Sequence, residues 1–272
     1  MLIGFVKGRA DWPTPLKNLG FKIDWLEAKF ENQNGEKVNP DIVMSSNRLS
    51  ITMLSECKGG KSVNLDQVRR YANVNANDIK SLSSLNDKNK IKCEIHYAFN
   101  EDNTSTFTQI SAIKPFPILV LKDKITLVNN FQDKTIDKEF SSSIKISINP
   151  PLGFYPFSHD DDIAYIGMKV LQHVISLVIK KQYKDDIEFS NDEIGRGIHK
   201  FWDNIQTKEK ALIKEKINRI MSRIKDMVPL DKSRDGVNWR VLNSKDFIEK
   251  CQKLIESITE EKKEKSLFEF AE

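Results

Sequence analysis

The sequence predicts an α/β protein, with a mixed β-sheet core flanked by helices in residues 1–150 and a mainly α-helical region in residues 151–272. Three observations carry this. Short runs with the two-residue period of strands fill the first half, and long runs with the 3.6-residue period of helices fill the second. Between them, Asn149-Pro150-Pro151-Leu152-Gly153 interrupts regular structure. A chain of 272 residues is long enough for one large domain or two modest ones, each with its own core.

In chain order, Thr14 to Leu19 reads as a short helix stopped by Gly20. Leu26, Ala28 and Phe30 then alternate with Glu27, Lys29 and Glu31, the pattern of a half-buried strand. Asn34-Gly35 is a hairpin signal, so Val38 to Met44 is expected as the returning strand. A polar turn over Ser45 to Arg48 leads to a third strand from Leu49 to Lys58, ended by Gly59-Gly60. Asn64 or Ser62 can cap a helix through Leu65, Val68 and Ala72, reaching about Val74. Further strands are expected at Ile91 to Phe99 and Phe116 to Leu121, with weaker signals at Ile125 to Val128 and Ile144 to Ile148. In the second half, Ser158-His159-Asp160-Asp161 and Ser190-Asn191-Asp192-Glu193 match capping boxes. They open helices expected at 159–182 and 191–206, followed by helices at 207–227 and from Ser244 to 264.

Composition excludes several classes. No window approaches the 18 or more uninterrupted apolar residues of a membrane span, and Leu2 to Val6 is too short for the apolar region of a signal peptide, so a cytoplasmic location is expected. Cys57, Cys93 and Cys251 are odd in number and far apart, which argues against a disulfide framework or a local metal knuckle. The net charge of +4 lies wholly in residues 1–150, since opposite charges balance over 151–272. That surplus permits nucleic-acid binding without requiring it.

The stretch from Pro40 to Tyr71 carries the chemistry. Glu56 and Lys58 are two apart on a strand and therefore leave it on the same face as Thr52 and Leu54, whereas Ile51, Met53 and Cys57 face the other way. If the strand that begins with Asp41 pairs alongside, its carboxylate reaches that of Glu56. Two convergent carboxylates suit a hard divalent cation such as Mg²⁺, which prefers oxygen ligands and keeps positions for water and phosphate. A lysine beside them can orient or deprotonate a water, or neutralise charge on a phosphate. Such a set hydrolyses a phosphodiester without a histidine or cysteine nucleophile.

Pro40-Asp41, a gap of 14 residues, then Glu56-Cys57-Lys58 resembles the PD-(D/E)XK signature of nucleases with the restriction-endonuclease-like fold. Gln67-Val68-Arg69-Arg70-Tyr71 adds the Gln-x-x-x-Tyr form of RecB-like nucleases. The likeness covers residues 14 to 100. It implies a metal-dependent nuclease in which Asp41 and Glu56 bind Mg²⁺ (or Mn²⁺) together with the Cys57 carbonyl, and Lys58 is the catalytic lysine. It further implies that Gln67, Arg70 and Tyr71 help hold the substrate, most naturally duplex DNA. Bacterial restriction or antiphage defence is the setting it suggests. Many members take another acid from the first helix; here the nearby acids are Asp11, Glu27 and Asp24. The alternatives are a non-catalytic binding module on an inactive nuclease fold, and an RNA-cleaving or ligand-activated nuclease.

Other features have plainer explanations. His96, His159, His173 and His199 share no spacing that groups them as metal ligands, and Asp160 to Asp162 suit a helix N-terminus. Arg69 and Arg70 could touch phosphates or form a solvated face, and the locally basic segment they make with Lys58 and Lys61 favours the contact. The helix at 207–227 has an apolar face of Ile213, Ile217, Ile220 and Ile224 and many cations. A solvated face is the commoner role for such charges, and Gly195 and Gly197 do not by themselves define a helix-turn-helix or winged-helix reader. Trp202 and Trp239 are expected as core or interface anchors. The C-terminal helices would serve DNA binding, homodimer formation or docking to a larger complex.

Overall fold

The structure is a computed structural model that describes residues 2–7, 13–59, 62–122, 124–141, 144–146, 157–181, 184 and 186–261. The chain forms two compact units, Met1–Tyr155 with Asn204–Gln206, and Pro156–Asp203 with Thr207–Glu272. The segment 149–153, read above as the break between halves, lies outside the described residues, as do Asp11, Gly60, Ile148 and the helix end beyond 261.

Unit 1 is built on a six-stranded mixed sheet. Its strands are β1 (Phe21–Leu26), β4 (Ile42–Ser46), β5 (Ile51–Lys58), β6 (Lys92–Phe99), β7 (Ile118–Leu121) and β8 (Ile125–Val128), in the order β1-β4-β5-β6-β7-β8. β5 and β6 pair in parallel, as do β6 and β7, and the other neighbours are antiparallel. The parallel steps need crossovers. Helices α3 (Leu65–Ala72) and α4 (Thr104–Ile113) supply them, and both bury side chains in one core with Leu54, Ile95, Tyr97 and Phe99. On the opposite face α1 (Leu2–Lys7) and α5 (Lys134–Ser141) bring together Phe5, Phe131 and Phe140, with Phe131 also edge-on to His96. A short α2 (Pro15–Asn18) precedes β1 and ends at Gly20, whose φ of +79° suits glycine.

Several elements differ from the sequence expectation, each for a local reason. The first strand runs over Phe21–Leu26 rather than through Phe30, because Glu27 takes a left-handed φ of +50° and turns the chain out of the sheet. The Asn34-Gly35 hairpin exists but joins only β2 (Phe30–Glu31) to β3 (Lys37–Val38), a separate two-stranded ribbon. The expected return strand is therefore split: β4 begins at Ile42, runs through Ser46 and pairs with β1. Helices α4 and α5 were not anticipated. The first is rich in threonine and serine, which give a weak helical signal, and it depends on an Asn103 side chain that accepts the Thr106 N–H. Of the expected strand at 144–148, the described part makes only an isolated bridge from Lys145 to Lys124.

Unit 2 contains α6 (Ile163–Lys180), α7 (Asn191–Ile198), α8 (Thr207–Ile224) and α9 (Ser244–Glu261). It also holds a three-stranded antiparallel sheet that the sequence did not suggest, of β9 (Ile187–Phe189), β10 (Leu230–Lys232) and β11 (Trp239–Val241) in the order β10-β11-β9. Helix α6 starts at Ile163 with Asp162 as its cap, not at 159. Helix α7 keeps the expected Ser190 cap but stops at Ile198 rather than 206. Trp202 and Trp239 are both buried. Among the described residues, α6 is the one helix long and apolar enough to cross a membrane by length and composition. Its Ile166, Val170, Leu171, Val174 and Val178 are instead buried in the unit.

Candidate active site

β5 lies inside the sheet, between an antiparallel neighbour and a parallel one, and its last turn of residues faces α3. The pairing of Ile42 with Ser55 puts Asp41, just before β4, opposite the Glu56 end of β5. The Asp41 Oδ2 atom accepts the Cys57 N–H at 2.5 Å, which ties the two strands beyond their last ladder pair. Cys57 itself is an exposed free cysteine, and the main chain is what it contributes here.

Glu56 is 3% exposed and surrounded by donors. Its Oε1 accepts from Lys58 Nζ at 2.6 Å and from Gln67 Nε2 at 2.8 Å, and its Oε2 accepts from the Tyr71 hydroxyl at 2.6 Å. Lys58 Nζ also donates to Gln67 Oε1 at 3.0 Å, so the Gln67 amide grips the lysine and the carboxylate together. Gln67 and Tyr71 are four apart on α3 and so share its inward face. That helix is set by Asn64, whose side chain accepts the N–H groups of Asp66 and Gln67. Buried charges persist only when paired and hydrogen-bonded, and Glu56 meets that condition.

Electrostatics single out Asp41. Burial, and then the Glu56 charge, push its carboxyl up to about 6, with a further upward push from Glu27; the Cys57 N–H and the Lys58 ammonium oppose them. The Tyr71 hydroxyl is pushed above its ordinary range by burial and by Glu56, so it remains a donor. Tyr97 is the one residue of the site that sequence reasoning missed. It is the parallel-register partner of Glu56, meets Tyr71 edge-on at 6.1 Å between ring centroids, and buries its hydroxyl without a partner among the described residues. Inter-strand register is not written in a local motif.

The remaining sequence candidates fall differently. Arg70 stands outside the Glu56 group: its guanidinium donates to the Lys37 carbonyl at 3.1 Å. Arg69 pairs with Asp66 at the surface. Of the three nearby acids, Asp24 is engaged with Ser45 and the Ser84 N–H. Glu27 is tied to Asp41 through the main chain, its N–H donating to the Asp41 carbonyl at 2.9 Å. Its strained φ stands where the first strand leaves the sheet, beside the two carboxylates.

Residues 1–155 match the model of one protein family. The chain belongs to the MJECL32 domain family. The match ends where unit 1 ends, so the MJECL32 domain contains the whole group around Glu56. No curated protein and no solved structure matches the chain.

Within the MJECL32 domain the donor set can be weighed against a hard cation. Among the described residues no cluster of three or more histidine, cysteine, aspartate or glutamate side chains is placed to hold a metal. Two carboxylates are present, and the carboxyl of Asp41 is pushed up by burial first and by Glu56 second. With the Cys57 carbonyl they offer oxygen donors of the kind Mg²⁺ takes while keeping several waters. The residues therefore fit a cation bound largely through water and substrate rather than a closed protein cage.

Proposed function

We propose that this protein is a metal-dependent nuclease of the PD-(D/E)XK type that hydrolyses DNA phosphodiester bonds, with Asp41, Glu56 and Lys58 at its active centre. The observation that carries the proposal is the Lys58–Glu56 pair at 2.6 Å, on the strand end facing Asp41. Asp41, Glu56 and the Cys57 carbonyl would hold Mg²⁺, or Mn²⁺ in its place. A cation there would lower the pKa of a water and draw charge from a phosphoryl oxygen. Lys58 brings a positive charge to the same strand end, where it can orient the attacking water or offset charge on the phosphate. Gln67 holds Lys58 Nζ and Glu56 Oε1 in one geometry, and Tyr71 fixes Glu56 Oε2. Preorganisation of this kind lets the charges act without rearrangement during reaction. Bacterial restriction or antiphage defence is the setting we propose, and duplex cleavage by one site per chain would call for two chains.

A second reading is favoured by one observation: both Glu56 oxygens are already engaged by Lys58, Gln67 and Tyr71. A carboxylate satisfied in this way also suits a non-catalytic module that binds nucleic acid or protein. The deciding experiment incubates the purified full chain with duplex and single-stranded DNA and RNA, with and without Mg²⁺ or Mn²⁺. Divalent-dependent cleavage, lost in each of Asp41→Ala, Glu56→Ala and Lys58→Ala, is expected. Unchanged cleavage by those variants would sink the assignment. No cleavage of any substrate would favour the second reading, and cleavage of RNA alone would move the substrate class.

A further inference from the structure

The chain order of unit 2 is helix, strand, helix, helix, then a hairpin of two strands, with β11 lying between β10 and β9. This is the winged-helix arrangement: α7 and α8 stand as the helix pair, and the β10–β11 hairpin is the wing. Helix α8 buries Ile213, Ile217, Ile220, Met221 and Ile224. The side opposite these exposes Lys208, Ala211, Glu215, Arg219 and Arg223, spaced three or four apart and hence in one stripe. Two further cations of the helix are tied to the rest of the unit. Lys216 Nζ donates to the carbonyls of His159 and Asp161, and Lys214 pairs with Asp192. The stripe's single acid, Glu215, pairs with Arg219 at 3.6 Å, so the stripe carries a net surplus of two positive charges from three cations and one acid.

The wing's turn is fixed by hydrogen bonds and carries Arg234 at its tip. Asp235 accepts the Val237 N–H and the Ser233 hydroxyl, Ser233 Oγ accepts the Asn238 N–H, and Gly236 supplies a φ of +71°. The turn's hydrogen bonds favour the ionised form of Asp235, so it balances Arg234 at the tip, where Arg234 is exposed and Val237 is 65% exposed. The wing is also tied to α8. Lys232 Nζ lies 3.7 Å from the centroid of the Trp239 ring and donates to Asn218 Oδ1 at 3.0 Å. The Lys232 bond thus joins the hairpin to the helix that bears the stripe.

We propose that this surface binds duplex DNA, with α8 in the major groove and Arg234 against the flanking phosphates. A major groove about 12 Å wide admits one α-helix, and cations on the helix and wing match its phosphate walls. The binding rests on unit 2 alone and does not depend on whether unit 1 cleaves.

The test is fluorescence anisotropy of a labelled duplex with the full chain in EDTA, across a salt titration, so that hydrolysis plays no part. Lys208→Ala/Arg219→Ala/Arg223→Ala is expected to lose affinity at least about 100-fold and to flatten the slope of log K against log salt by about 2 to 3. Arg234→Ala, at a turn built by its neighbours, is expected to lose about three- to tenfold and to reduce the slope by about 1. Circular dichroism and the thermal midpoint report whether each variant is folded. Wild-type affinity and slope in folded forms of both variants would overturn the proposal. So would an absence of duplex binding by the wild type, or a change in oligomeric mass on substitution with DNA affinity unmoved.

Discussion

Replacing Asp41 with asparagine should stabilise the metal-free protein at neutral pH and leave its stability unchanged in acid. The Asp41 carboxyl is moved from 3.8 to about 6, by burial first and by Glu56 second. That displacement costs the charged form about 3 kcal/mol. The folded chain therefore keeps a proton on Asp41 up to about pH 6, whereas the unfolded chain releases it near 3.8. Between these values the folded state binds more protons, so this group's contribution to stability falls as pH rises; the penalty is absent below the window and complete above it. Asparagine removes the charge while its Oδ1 can still accept the Cys57 N–H, so most of the penalty should return as stability. Urea denaturation in EDTA at about pH 7.5 should show Asp41→Asn more stable by roughly 1 to 3 kcal/mol, and at about pH 3.5 the difference should vanish. Mg²⁺ should stabilise the wild type at the higher pH, by about 2.7 kcal/mol at 100 times its Kd, and the variant much less. An Asp41→Asn protein that is equally destabilised at both pH values would refute the reasoning.

Three further outcomes are expected. Tyr71→Phe removes the donor to buried Glu56 Oε2 and should cost about 1 to 3 kcal/mol in denaturant unfolding; an unchanged midpoint would mean that this bond contributes nothing. His96 is fully buried with no hydrogen-bond partner among the described residues, and burial pushes its imidazole down to about 3. The unfolded chain takes up that proton below about 6.5, so stability falls with pH from there to about 3, by about 2 kcal/mol at pH 5. His96→Leu should flatten this acid limb of the stability profile, and an unaltered limb would exclude the group as its source. At Gly195 an added Cβ would lie 2.4 Å from Trp202 Cη2 in the core of unit 2. Overpacking at about 1 to 3 kcal/mol outweighs a helix-propensity gain of about 1, so Gly195→Ala should lower the thermal midpoint; a rise would refute the clash.

The candidate site was legible to the extent that it is local. Glu56 and Lys58 share a face because a strand has a period of two, and that period is visible in eight residues of β5. The Asn64 cap, the Gly20 stop and the Ser190 cap were equally readable, because each joins groups within three or four positions. Gln67 and Tyr71 were named by the resemblance to the Gln-x-x-x-Tyr form, and their spacing of four puts them on one face of α3. Arg70 shared their motif, yet its guanidinium bonds to Lys37, and no spacing rule told it apart.

By itself, then, the sequence determined the α/β class, the central strand with its carboxylate and lysine, and the helix that faces them. Tertiary structure alone decided that Asp41 reaches Cys57 and presses on Glu56, that Glu27 breaks the first strand, and that Tyr97 lies in register with the site. It also decided that the helical half contains a three-stranded sheet of three-residue strands. The physical reason is common to all of these. Periodicity and caps are properties of a few adjacent residues, whereas a three-residue strand, a register or a displaced pKa exists only when distant segments pack together. Asp41, marked in the sequence only by its motif, has its carboxyl pushed up by burial and then by Glu56 only when β4 is laid against β5.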